Sequence, residues 1–172
     1  SGLYVLSSPV TVQDEFRVGP DIVSNLLTEM KSMFDFIVVD AGQSMDYYAK
    51  AVFKISDLTL IVTLLTLPCL INVKRILDTF SRMGYPADEH TRILVNRFLK
   101  RSIISEEEAA KTLQKPIFMN IPNDFQNTMG AINHGRPLTS QSPRAEITES
   151  FKELATRISG AASKKKGILS WR

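Results

Sequence analysis

Residues 34–44 read FDFIVVDAGQS. Four apolar residues, Phe36, Ile37, Val38 and Val39, run directly into Asp40, and the small residues Ala41 and Gly42 follow. A short apolar run rich in β-branched residues reads as a strand buried on both faces of a parallel sheet. The unusual element is its end, a carboxylate where the strand leaves the core.

The segments on either side fit that reading. LYVLS (3–7), LTLIVTLL (58–65), TRILVNRF (91–98) and PIFMNIP (116–122) are further expected strands. Between them the apolar positions change to helical spacing: Ile22, Val23, Leu26, Leu27 and Met30 within 18–33, and Ile147, Phe151, Leu154 and Ile158 within 145–159. Helices are also expected over 45–56, over 69–83 closed by Gly84, and over 104–114 with Ser105 as N-cap ahead of three glutamates. Strands alternating with helices predict an α/β fold, a mostly parallel sheet with helices on both faces. The main body is expected over residues 1–160. Residues 161–172 form a basic tail, amphipathic or disordered.

At 172 residues, with 44% hydrophobic and 23% charged side chains, the chain can bury a core of its own. No apolar run reaches the length of a membrane span, and the N-terminal residues lack signal-peptide organisation. One cysteine, Cys69, excludes an internal disulfide and suits a reducing compartment. It follows Pro68 and reads as a packing residue, and neither His90 nor His134 belongs to a ligand pattern. The net charge is +3, yet the last nine residues alone carry +4, so the other 163 sum to −1. That near-neutral body argues against a nucleic-acid partner.

Ligands of open parallel sheets bind beyond the carboxyl ends of the strands. There this chain places Asp40 and Gly42, then Asn96 and Arg97, then Pro122, Asn123 and Asp124. A carboxylate suits Mg²⁺, which takes oxygen ligands and keeps its waters. Gly42 lets backbone approach a phosphate, Asn pairs with a base edge, and Arg stacks on a base or reaches a phosphate. Each feature also has a plain structural reading: an Asp after a strand is a turn former or N-cap, Asn-Arg a solvated loop, IPND an ordinary turn.

FDFIVVDAG, LTLIVTLLTLPCLINVKRILD, ILVNR and IPNDFQNTMGAINHGRPL together resemble the C-terminal two-thirds of the MinD/ParA family of P-loop ATPases, in particular the CpaE/TadZ branch associated with Flp/Tad pilus assembly. The resemblance implies a three-layer α/β/α, Rossmann-like P-loop NTPase fold with its N-terminal strands missing. It implies that Asp40 is the Walker B aspartate holding Mg²⁺ through water and that Gly42 lies in switch II. It implies that Asn96 and Arg97 contact adenine and that Pro122, Asn123 and Asp124 line the base and ribose. ATP or ADP with Mg²⁺ are then the cofactors of the full-length protein. The implied partners are a second copy of the chain and pilus or secretion assembly proteins. The implied location is cytoplasmic, peripheral at the inner face of the bacterial membrane or at a pole. Lys164, Lys165, Lys166, Ile168, Leu169 and Trp171 would form a membrane-surface tail of the kind that ends related MinD-type proteins.

Two departures qualify the resemblance. D-A-G stands where the family often has D-x-P, and no G-x-x-x-x-G-K-[ST] occurs anywhere in the sequence. The expectation is therefore a C-terminal portion of a longer ATPase, poorly active by itself, whose strand at 36–39 lacks its neighbour. A non-catalytic localisation scaffold is the competing reading. A phosphoacceptor receiver domain needs an acidic pair and a lysine that LYVLSSP and IFMNIPND do not supply. A nitrogenase-type iron protein needs cluster cysteines that the chain lacks.

Overall fold

The computed structural model describes residues 2–6 and 19–166. The chain divides into two compact units, Ser1–Thr59 and Leu60–Arg172.

In the first unit, α1 (Pro20–Met33) packs on α2 (Tyr47–Ile55). Pro20 stands in the first turn of α1, where its missing N–H costs no hydrogen bond. Asp46 caps α2, its Oδ1 accepting the Ala49 N–H at 2.9 Å. Ala49 and Val52 are buried. At the far ends of both helices the Lys31 ammonium donates to the Ile55 carbonyl (2.7 Å) and to Asp57 Oδ2 (3.2 Å). That places a cation against the partial negative charge of a helix C-terminus.

Two expected strands are not strands here. Residues 2–6 and 36–40 belong to no helix or ladder. Leu3, Tyr4, Val5, Leu6 and Phe36 are exposed, and Val38 is 96% exposed. The physical reason is that a strand exists only against a partner's N–H and C=O groups. Apolarity can call for such a partner but cannot supply one. The Tyr4 and Phe34 rings do meet, with centroids 5.4 Å apart.

The second unit is the layered part. β1 (Thr59–Thr63), β2 (Thr91–Phe98) and β3 (Ile117–Pro122) form a sheet in the order β1-β2-β3, with β2 and β3 parallel. Alternation along β2 divides its side chains. Leu94 joins Met119 and Ile121 of β3 in a core completed by Ile147 and Leu154 of α7 (Glu146–Lys166). Ile93 and Val95, both fully buried, face the opposite way. That second layer holds α3 (Leu67–Met83) and α4 (Glu106–Leu113), which bury Leu70, Val73, Phe80, Ala109 and Leu113. Gly84 ends α3 in a left-handed conformation (φ 73°), as its position in the sequence predicts. Ser105 caps α4 in a full capping box with Glu108.

After β3 the structure adds two helices that hydrophobic periodicity does not signal, α5 (Phe125–Asn133) and the single turn α6 (Leu138–Gln141). The last helix, expected to end near 159, continues through Lys166. Among the described residues no helix is long and apolar enough to cross a membrane.

Candidate functional site

The candidate residues fall in both units. Asp40 and Gly42 belong to the first. Asp40 is exposed, and its Oδ1 accepts the Gly42 N–H at 3.0 Å. This is an Asx-turn, in which the side chain takes the place of a backbone carbonyl. Gly42 itself takes a positive φ of 65°, which a side chain would strain. The turn leaves the second carboxylate oxygen directed to no donor among the described residues. Among those residues no three His, Cys, Asp or Glu side chains stand close enough to hold a metal. Asp40 alone is therefore no metal cage. A single carboxylate with one oxygen left over is compatible with Mg²⁺, which keeps several of its waters and is commonly held by only one or two protein carboxylates.

The other candidates gather at the carboxyl edge of the second unit, because β2 and β3 run parallel and end together. Phe98 is in register with Pro122, and the Asn123 N–H donates to the Phe98 carbonyl at 3.0 Å. Asn96 and Arg97 sit in a break of that register. Val95 pairs with Asn120 and Phe98 with Pro122, so β2 spends one more residue than β3 over the interval. Such a bulge re-aims side chains at a strand end. Arg97 takes φ 49°, and the Asn96 Oδ1 accepts its N–H at 2.9 Å. The Asn96 carbonyl oxygen is thereby partly committed to the backbone, while its NH₂ group is not. The Arg97 side chain is exposed.

Asp124 has a local duty. It is the N-cap of α5: Oδ1 accepts the Asn127 N–H (3.1 Å) and Oδ2 accepts the Asn127 side-chain amide (2.7 Å). Ser142 in turn donates to Asn127 Oδ1 at 2.6 Å. In place of the ordinary turn read for IPND, Asp124 begins a helix as its cap, and Asn123 beside it is exposed. The D-x-x-N spacing of Asp124 and Asn127 is a capping signal that the sequence carries and that identifies the start of α5.

Sequence reasoning also missed Asn120. Its amide donates to the Glu106 carboxylate, but its buried Oδ1 has no donor among the described residues. It lies on β3 opposite Val95, next to the Asn96–Arg97 bulge. A polar strand residue flanked by apolar ones is the signal that marks it. A cavity of about 130 Å³ opens at the same edge between Leu65, Phe98 and the start of α4. The base-side candidates do not line it; Arg97 and Asn123 are exposed, and Asn96, Pro122 and Asp124 are half-buried. The expected tail divides: Lys164, Lys165 and Lys166 continue α7, and Ile168, Leu169 and Trp171 lie outside the described residues.

No protein-family model matches the chain. It is 25% identical over 163 residues to the septum site-determining protein MinD of Thermotoga maritima and 23% identical to that of Bacillus subtilis. In both cases the match covers 92% of this chain and 59% of the relative. Among solved structures, a ParA family ATPase from Chlorobium tepidum superposes with a TM-score of 0.82 at 26% identity, over 86% of this chain and 61% of that one. MinD of Pyrococcus horikoshii, complexed with Mg-ADP, superposes with a TM-score of 0.75 at 20% identity, over 91% of this chain and 63% of its own. The chain thus carries the MinD/ParA P-loop ATPase fold over about three-fifths of the length of these relatives.

Proposed function

We propose that this chain supplies the Walker B and base-side parts of an ATP site in a MinD/ParA-type switch protein. The observation that carries the reading is the carboxyl edge of the second unit. There Asn96–Arg97 and Pro122–Asn123 are held together by the Phe98–Asn123 hydrogen bond, in a fold shared with ParA and MinD ATPases. Solution of the Pyrococcus protein with Mg-ADP supports the choice of ligand.

In this reading the Asn96 NH₂ group and Asn123 read the base, and Arg97, lifted by its bulge, reaches over it. Asp124 holds the loop in place through its cap and contacts the nucleotide only through neighbouring backbone. Asp40 orients a water shell with its second oxygen, and the Asx-turn positions the Gly42 segment beside the phosphates. Bound Mg²⁺ would neutralise charge on the phosphate oxygens. In this reading the β- and γ-phosphates are held by a phosphate loop, a motif that these 172 residues do not carry. Within the fold, the A-I-N-x-G-R-P segment and the match through LPCLINVKRILD favour the CpaE/TadZ branch. Its function would be positioning of pilus assembly through nucleotide-dependent dimerisation, with Lys164, Lys165 and Lys166 at the end of α7 and Ile168, Leu169 and Trp171 after it at the membrane surface.

The test compares MgATP binding and turnover by the 172-residue chain with those of the product of its complete reading frame. Tight binding is expected only from the latter, with Asp40→Asn lowering its kcat by roughly 100-fold, the scale of losing one electrostatic stabiliser of a transition state. Tight MgATP binding by the 172 residues alone overturns the division of the site. A complete reading frame that encodes no phosphate loop and binds no nucleotide makes the protein a localisation scaffold instead.

A further inference from the structure

A different cavity lies at the opposite edge of the second unit from Asn96, Arg97 and Asn123. It measures about 350 Å³ and opens where β2 begins and where the chain enters β3, a size typical of small-molecule sites. Lys74, Asp78, Asp88 and Lys115 form its charged wall, and Leu77, Phe80 and Leu113 line the apolar side.

Lys115 decides what this cavity can take. Its side chain is only 9% exposed, and its ammonium donates to Asp88 Oδ1 at 2.7 Å and to the Asp88 carbonyl at 2.9 Å. An ammonium has three donors, and among the described residues Asp88 supplies acceptors for two. The compensation is also lopsided, because the Asp88 side chain is 87% exposed, on the one-turn helix Asp88–His90. Desolvation is thus borne at the lysine while the counter-charge remains in water, where its attraction is screened. Lys74 adds a second ammonium at the wall, balanced at 3.6 Å by Asp78.

We propose that this cavity binds a small organic carboxylate with a short apolar body, and that Asp88 occupies the carboxylate position when no ligand is present. Releasing Asp88 costs little, since it is already hydrated. The incoming carboxylate keeps the charge pairing of Lys115, and its apolar body is buried against Leu77, Phe80 and Leu113. Asp88 offers no such burial. The third ammonium donor gives the ligand's second oxygen a partner. This site is independent of the nucleotide reading and stands or falls without it.

The experiment titrates the ¹⁵N-labelled chain with sodium phenylacetate and follows its amide resonances. Saturable shifts are expected at Asp88, Thr91, Gln114 and Lys115. Asp88→Asn removes the competing carboxylate and is expected to tighten binding several-fold. Lys115→Met is expected to weaken it by roughly tenfold or more, the scale of a lost charge-assisted hydrogen bond. If Lys115→Met does not fold, the Asp88→Asn comparison decides alone. The proposal is overturned by linear shifts, by shifts elsewhere, by unchanged or weaker binding to Asp88→Asn, or by an equal response to inorganic phosphate or benzyl alcohol.

Discussion

Arg97 holds a full side chain in the left-handed region, φ 49°, at a strand bulge. An L-residue there places Cβ too near the following carbonyl, at a cost of roughly 1–2 kcal/mol. Asn96 offsets part of that cost by accepting the Arg97 N–H. Strain of this kind persists where the surroundings over-determine it, and such positions cluster at ligand-binding sites. The two roles of Arg97 separate by substitution. Arg97→Gly should raise stability by about 0.5–1 kcal/mol in urea denaturation, because glycine accepts the conformation freely. Arg97→Ala removes the same guanidinium, keeps the strain and should show no gain. A gain from alanine equal to that from glycine would mean that the guanidinium, not the backbone, is what destabilises. None of this was legible in the pair Asn-Arg, because a bulge is a property of two strands in register and only one of them is local.

At the scale of an element, α4 shows how far local rules reach. Ser105, the three glutamates and the apolar Ala109 and Leu113 are sufficient to predict the helix, and it forms where they place it. The Glu108 carboxyl is held below its ordinary value of 4.5, first by the hydrogen bond from the Ser105 backbone N–H and then by the one from its hydroxyl. A carboxylate depressed in the folded state stabilises above its unfolded pKa, and the contribution is lost as pH falls through the folded value. The stability difference between the unmodified chain and Glu108→Ala should therefore be constant near neutral pH and shrink below about pH 4. Ser105→Ala should cost about 1 kcal/mol at pH 7. Urea midpoints across the pH range check both, and a Glu108→Ala difference that grows with acidity would contradict the capping box. The helix α5 shows the other side. Family resemblance gives its N-cap, Asp124, as a residue lining base and ribose; that it also caps α5 shows only in the position of Asn127 against both its oxygens.

At the scale of the whole molecule, the chain carries exposed apolar segments in its first unit. Phe36, Val38 and Val39 have the composition of a central strand without a ladder, and residues 3–6 are similarly exposed. Unpaired, apolar, extended segments template association with other chains. Val38→Lys should shift the chain toward monomer in light scattering, with its unfolding free energy changed by no more than about 0.5 kcal/mol because Val38 is 96% exposed. Unchanged association in that variant would move the adhesive surface elsewhere.

What the sequence determined by itself was set by interactions between near neighbours. Strand β2 appears at 91–98, as its apolar run reads, and β3 falls within a residue of its expected start. The caps at Gly84 and Ser105 depend on the turn beside them. The α/β alternation follows from the change of apolar period along the chain. The tertiary structure decided the rest, since those outcomes depend on what stands opposite in space. It left 36–40 outside the sheet, turned the Asp40 carboxylate toward Gly42, assigned Asp124 to a helix cap and brought Asn96–Arg97 beside Asn123. A hydrogen bond between distant residues has two ends, and a linear pattern specifies only one of them.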